Sequence, residues 1–137
     1  MKVVLYIVVS LIVLVLIAVP YIRFAPADEA RWHVQIEADQ DRDLTGGAIR
    51  VVEAPAAALA EVDRAARALP RTQVFAGSVA ENHITYVTRS KFFGFPDYTT
   101  VQHVDGRLKM FGRLRFGRSD LGVNGKRLER LLGAVQG

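Results

Sequence analysis

The sequence predicts an α+β protein, an N-terminal single transmembrane helix followed by a small, mainly antiparallel sheet with two helices packed on one face. Three observations lead there. Sixteen of the 17 positions from Val3 to Val19 are apolar, with Ser10 the exception. The rest of the chain is dominated by runs that alternate apolar and polar residues, the period of half-buried strands. Two further stretches repeat apolar residues at three- and four-residue steps, the period of amphipathic helices.

Lys2 precedes the first run, and no charge interrupts it before Arg23. At about 1.5 Å per residue, 17 to 20 residues cover roughly 25–30 Å, the thickness of a bilayer core. Tyr21 stands where an interfacial aromatic belongs. A single span from Val3 to Ile22 is therefore expected, within an anchor over 1–23, then a linker over 24–29 and a folded domain over 30–137. A cleaved signal peptide is the competing reading, because Ala25-Pro26-Ala27 has the small-x-small form of a cleavage site. Counting Lys and Arg on the flanks (Lys2 against Arg23 and Arg31) keeps the domain cytoplasmic. A lone Lys2 before an apolar run resembles an export signal and places it outside. The expectation adopted is a single-pass protein of a bacterial inner membrane with a periplasmic domain.

In the domain, Trp32, Val34 and Ile36 alternate with His33 and Gln35, which predicts a strand. An acidic loop from Asp39 to Asp43 follows, closed by Gly46-Gly47, and 48–53 predicts a second strand. Pro55 suits the first turn of a helix. Leu59, Val62, Ala66 and Leu69 give that helix one apolar stripe, and Pro70 ends it. Further strands are expected over 72–79, 83–90 and 97–104, with Ile84, Tyr86 and Thr88 turned to the core. Asp105-Gly106 is a two-residue hairpin signal leading into 107–116. Leu128, Leu131, Leu132 and Val135 form the stripe of a C-terminal helix, with Asn124 as its expected N-cap.

Composition sets further limits. The 137 residues include no cysteine, which excludes disulfides, thiolate chemistry and cysteine-bound zinc. The net charge of +4 is unevenly placed. Asp28 to Asp63 carries nine acids against three arginines, and Arg107 to Arg130 carries eight bases against two acids. Within 107–116, Arg107, Lys109, Arg113 and Arg115 share one strand face, and Leu108, Met110, Leu114 and Phe116 share the other. The basic ladder is either the solvated outer face of a half-buried sheet or a surface for anionic lipid headgroups, an acidic partner or an anionic ligand. Nucleic acid is not expected, because no stacking-aromatic motif accompanies the charge.

Chemistry-bearing constellations are sparse. Asp39, Asp41 and Asp43 have the spacing of a calcium loop, but Leu44 stands at the turn-glycine position and Arg50 at the bidentate acid. His33, His83 and His103 fall on three separate strand candidates, and nothing in their spacing makes them converge. Ser78, Ser90 and Ser119 lack a nucleophile-elbow context. No catalytic residue, metal ligand or cofactor is therefore assigned. The densest polar stretch runs from Arg113 to Arg127. Its glycines at 117, 122 and 125 permit a tight path, and backbone amides at a helix start beside Arg118, Lys126 and Arg127 could hold an anion. The alternative is a strand-to-helix corner that Asp120 fixes by bonding amides or an arginine.

The segments FFGFPDYTTVQ (92–102) and FGRSDLGVNGKRLERL (116–131) carry a resemblance. Asp97, Arg115, Gly117, Ser119, Asp120, Gly122, Asn124 and Arg127 fall on a pattern similar to the family catalogued as domain of unknown function 1499, over about 72–132. The chain departs from that pattern at Pro96, where an aspartate is common, and at 111–114, where a serine-containing part is replaced. The resemblance implies a fold and an envelope setting and no reaction. The function expected is a membrane-anchored, non-catalytic binding or accessory domain, a small subunit of a membrane or envelope complex. The alternative is a ligand- or lipid-headgroup-binding domain using Asp97, Arg115, Arg118, Ser119, Asp120, Asn124 and Arg127. An enzyme is the third reading, with Asp97 and Asp120 as its candidate carboxylates.

Overall fold

The computed structural model describes residues 1–136. In chain order the elements are α1 (Lys2–Phe24), α2 (Glu29–Trp32), β1 (Arg42–Leu44), β2 (Gly47–Glu53), α3 (Ala58–Ala68), β3 (Thr72–Ser78), β4 (His83–Arg89), β5 (Pro96–Val104), β6 (Arg107–Leu114) and α4 (Val123–Gln136). α1 is long and apolar enough to cross a bilayer and buries no side chain against the rest of the chain. Pro20 lies inside it without ending it.

The strands form one antiparallel sheet in the order β1-β2-β6-β5-β4-β3. β3 to β6 are a meander, and β2 joins the far side of β6. The hairpin between β5 and β6 turns on Asp105 and Gly106, with φ of 52° and 73°, the two positive values of a type I′ turn. α3 and α4 cover one face. Leu59, Val62 and Ala66 of α3 and Leu128, Leu131 and Leu132 of α4 pack on Ala48, Ile84, Tyr86, Val101, Leu108 and Met110. Each Leu, Ile, Val or Met side chain so taken from water contributes roughly 1.5–3 kcal/mol before the entropy of ordering is counted. Tyr86 reaches the edge of this core, where its hydroxyl donates to Asp63 at 2.7 Å; burial and that carboxylate push the phenol pKa up.

The opposite face is not solvated, which corrects two expectations. Residues 32–36 are not a strand. Asp28 caps the short helix α2 through the Ala30 amide (3.0 Å), and the chain then runs extended across the sheet without joining a ladder. Sheet side chains satisfy its backbone instead. Gln102 accepts from the Ile36 amide (3.0 Å), His83 Nε2 donates to the Val34 carbonyl (2.9 Å) and Lys109 donates to the Ile36 carbonyl (3.3 Å). A strap pressed on a sheet is half-buried with the same period of two as a strand, and Trp32 and Ile36 are its inward residues.

The basic ladder is what the strap lies on. Arg107 and Lys109 both bond Asp39, at 3.0 and 3.1 Å. Arg113 is 9% exposed and has no carboxylate partner among the described residues. It donates to the carbonyls of Trp32 and Phe111 and to Thr100 Oγ1, and its guanidinium lies 4.5 Å from the Phe111 ring and 5.5 Å from that of Trp32. Burial pulls its pKa down to about 10, so it stays charged at neutral pH. Trp32 in turn stacks on Tyr98 at 4.2 Å. Arg115 donates to the carbonyls of Ala25 and Pro26, at 3.3 and 2.8 Å. The ladder thus fastens residues 25–39 to the sheet from one end to the other.

The histidines divide between the faces. His33 of the strap stacks on His83 of the sheet at 3.8 Å, whereas His103 lies on the helix-covered face and donates to the Ala54 carbonyl (2.8 Å). The three acids of the loop each have a local role. Asp39 holds the ladder, Asp41 accepts from the Val51 amide (2.9 Å) and Asp43 pairs with Arg50 (2.9 Å).

Two outcomes follow. Arg113→Met removes the charged donor from the Trp32 carbonyl, from Thr100 and from the Phe111 carbonyl, leaving Trp32 only its bond from Thr100. It should lower the stability of the full chain in detergent micelles by about 2–3 kcal/mol. Hydrogen exchange should accelerate over 28–38 before it does in the helix-covered core; equal acceleration in both would show that the strap is not a separate unit. The second outcome concerns pH. Burial, and then the charge of His33, hold the His83 pKa below its usual value. The unfolded chain therefore takes up its proton first as pH falls. Stability present above about pH 6.5 should be lost as pH drops towards the native value, and level off beneath it. Denaturation across pH 5–8 reads this, and His83→Gln should flatten that part of the profile.

Candidate functional site

The corner between β6 and α4 is built around two side chains that enter the helix-covered face. Asp97, the second residue of β5, points towards α4, and α4 begins with Val123 and Asn124. Asp120 is the cap of α4, which corrects the expected role of Asn124. Its Oδ1 accepts from the Gly122 amide and its Oδ2 from the Asn124 amide, both at 3.0 Å. Leu121 and Gly122 take φ of 53° and 79° to bring those amides round.

Asn124 is fully buried and sits one turn further in. Its Nδ2 donates to Asp120 Oδ2 (2.9 Å) and to Asp97 Oδ2 (3.1 Å), and its Oδ1 accepts from Arg127 (2.7 Å). Arg127 also approaches Asp97 Oδ2 at 3.5 Å. The amide thereby holds two carboxylates and a guanidinium in one network. The space it occupies comes from Gly112 of β6, where a Cβ would lie 3.1 Å from Asn124 Oδ1. A glycine in mid-strand signals this kind of close approach.

The carboxylates differ. Burial pushes Asp97 up, against the pull of Arg127 and Asn124. Burial also acts on Asp120, but the Asn124 side chain and the capping amides outweigh it and bring its pKa down. Asp97 is the more proton-prone of the two, yet both point at donors of the protein itself. Beside them, Thr99 Oγ1 is the one buried side-chain polar atom without a hydrogen-bond partner among the described residues.

The seven predicted residues therefore fall into three groups. Asp97, Asp120, Asn124 and Arg127 form the network. Ser119 and Arg118 lie in the adjoining loop, where Ser119 accepts from the Leu121 amide (3.2 Å) and Arg118 is exposed. Arg115 is turned away to residues 25 and 26.

A groove opens next to the network. Arg71, Lys126, Arg127 and Arg130 line it, with Leu69, Pro70, Thr88 and Val123, and no carboxylate is among the lining residues. A second groove shares Arg71 and adds Arg23, Arg89 and Lys91, again without an acid. Sequence spacing brings Lys126, Arg127 and Arg130 onto neighbouring turns of one helix. Arg71, distant in sequence and left-handed at φ 53°, joins them only through the fold.

One substitution tests the network. Asn124→Asp places a third carboxyl where an amide now donates to two others. The new group and its neighbours should be held above the ordinary carboxyl range, so stability is kept below about pH 4 and lost as pH rises through the raised native values. At neutral pH the expected loss is roughly 2–4 kcal/mol, against about 1–3 kcal/mol for Gly112→Ala, whose cost is steric and independent of pH. Denaturation of both variants at pH 4 and pH 7 separates the two causes.

No curated protein matches the chain. A family model does, and it runs from the last residue of α1 through the strap, the groove beside α4 and the Asp97–Asn124–Asp120 network. Its match over residues 24–135 places the chain in the family described as protein of unknown function, DUF1499.

Proposed function

We propose that this protein is a membrane-tethered, non-catalytic binding module that takes an anionic group in the groove between α4 and the β3–β4 side of the sheet. α1 is the tether in this reading, a single span of a bacterial inner membrane with the domain on the periplasmic side. The observation that carries the binding role is the lining of the groove, where Arg71, Lys126 and Arg130 stand beside Arg127, whose partner Asp97 lies outside the lining, and no acid lines it among the described residues. Several other cations are already used. The ladder cations serve the strap, and Arg50 is closed by Asp43 and Glu129 at 2.9 and 2.6 Å. Lys126 and Arg130 are exposed and keep their donors for a ligand. Several like charges in one concavity focus the field on an incoming anion. A phosphate group suits it, whether free or on a lipid headgroup, because it offers acceptors on several sides to donors arriving from a loop and a helix.

The Asp97 network supports this reading from behind. It fixes the first turn of α4, and with it the positions of Lys126 and Arg127, while spending no exposed charge. Asp97 and Asp120 face donors within the protein, which favours a structural use over general acid–base work.

The test uses the full chain in phosphatidylcholine nanodiscs, titrated with inorganic phosphate and compared with nanodiscs containing phosphatidylglycerol. Lys126→Glu together with Arg130→Glu should weaken binding by about 2 kcal/mol or more, beyond tenfold, and the remainder should fall further with salt. Response to phosphate in solution assigns a free ligand, and response only to phosphatidylglycerol assigns a headgroup. Binding unchanged by the two reversals, with the chain recovered from gentle detergent in one stoichiometric membrane complex, would replace this reading with that of an accessory subunit.

A further inference from the structure

The loop joining β4 to β5 has the sequence Ser-Lys-Phe-Phe-Gly-Phe over 90–95, and it exposes its aromatics. Phe92 is 81% exposed, Phe93 51% and Phe95 37%. Three clustered phenylalanines in water are unusual for a folded surface and mark an apolar contact. Their exposure is not forced by a loose loop. Ser90 closes it through three bonds, its Oγ accepting from the Phe95 amide (2.9 Å), its amide donating to the Phe95 carbonyl (3.0 Å) and its carbonyl accepting from the Gly94 amide (3.2 Å). Arg89 adds a fourth to the Gly94 carbonyl (3.1 Å). The turn at Gly94, φ 71°, presents the rings on a fixed frame.

The position of the loop says what covers it. A Cβ at Gly94 would lie 3.4 Å from Cγ of Arg23, so the loop rests against the last turn of α1. That end of α1 is tied to the domain. Tyr21 packs edge-on against Phe116 at 6.4 Å, and Arg115 grips the carbonyls of residues 25 and 26. If the apolar run of α1 fills a bilayer core, Tyr21 and Arg23 stand in the headgroup layer, which is roughly 5–8 Å deep on each side. A loop in contact with Arg23 stands at the same depth. Lys91, with its Nζ 5.6 Å from the centre of the Phe92 ring, puts a cation beside an aromatic, as interfacial segments do.

We infer that Phe92, Phe93 and Phe95 form a second membrane contact, which inserts into the bilayer interface beside α1 and sets the domain in one orientation on the lipid surface. The inference rests on reading α1 as a span. It does not need the basic groove, because the contact is apolar.

The absence of cysteine makes the test direct. Single variants Phe93→Cys, Ala80→Cys in the opposite β3–β4 turn and Leu14→Cys in α1 carry a nitroxide in the otherwise native full chain. Each is reconstituted in phosphatidylcholine vesicles and in the same vesicles doped with phosphatidylglycerol. The expected result is a label at 93 that is several-fold less accessible to an aqueous nickel quencher than the label at 80, and more accessible to oxygen, in both lipids. A label at 93 as open to nickel as that at 80, with position 14 in the bilayer, overturns the inference and leaves the span intact. Protection at 93 only with phosphatidylglycerol also overturns it, in favour of electrostatic docking through the groove. A label at 14 exposed to nickel overturns the span and the inference together.

Discussion

A guanidinium buried without a carboxylate is the constraint around which one half of this protein is arranged. Arg113 lies in the middle of the sheet and remains charged there. Moving such a charge out of water is costly unless dipoles replace the water. The sheet alone supplies Thr100 and the Phe111 carbonyl. The rest comes from the strap, as the Trp32 carbonyl and the face of its indole. The strap therefore both shuts the charge off from water and supplies dipoles in place of that water, so it stays down only with those bonds made. Thr100 and Thr85 extend the arrangement. With Thr100 donating to the Trp32 carbonyl at 3.2 Å, the hydroxyl of Thr85 donates to Thr100 and Nδ1 of His33 donates to Thr85. That chain fixes the His33 tautomer and brings its ring onto His83.

The consequence reaches α1. Only residues 25–28 separate α1 from α2, and Arg115, just past β6, holds two of their carbonyls. A tether so short, bonded along its length, transmits orientation as well as proximity. A Gly/Ser linker of equal length would not. The domain is accordingly not a free body on a string. Its α1 end, where the aromatic loop, the β6–α4 corner and the two basic grooves gather, is held at a constant distance from the apolar helix.

Most of the fold was legible because it depends on local periods. The meander from 72 to 114, the hairpin at Asp105-Gly106 and both amphipathic helices come from patterns two to four residues long, and the core positions Ile84, Tyr86, Leu108 and Met110 follow from strand parity alone. The strap was not legible as such, since an extended segment lying on a sheet and a strand lying in one bury alternate residues alike. What separates them is where the backbone amides go, and that is decided by Gln102, His83 and Lys109 on strands far along the chain. The same limit applies to the basic ladder. Its parity was readable, but its solvation was not, because the residues that cover it are acids and carbonyls of a distant segment. At the corner, the residues of the family pattern could be recognised, and four of the seven assemble. That Asn124 would bind both carboxylates was hidden in Gly112, whose role as the space for an amide is visible only when β6 and α4 meet.

These assignments change which charges can meet a partner. The strand with the most bases, β6, spends them inward on the strap, and Arg115 just beyond it is spent on residues 25 and 26. Among the cations that remain for an outside anion are those of α4 and of the β3–β4 edge, and Asp97 and Asp120 lock the start of α4 beside that edge through Asn124. A pair of acids thus sets the basic surface, one by capping the helix and one by holding Arg127. The division has a physical logic. A bound anion would gain little from Arg113 or Lys109, whose donors are already committed and whose burial excludes it. It gains most where donors are exposed, convergent and held from behind by a network that carries its own counter-charge.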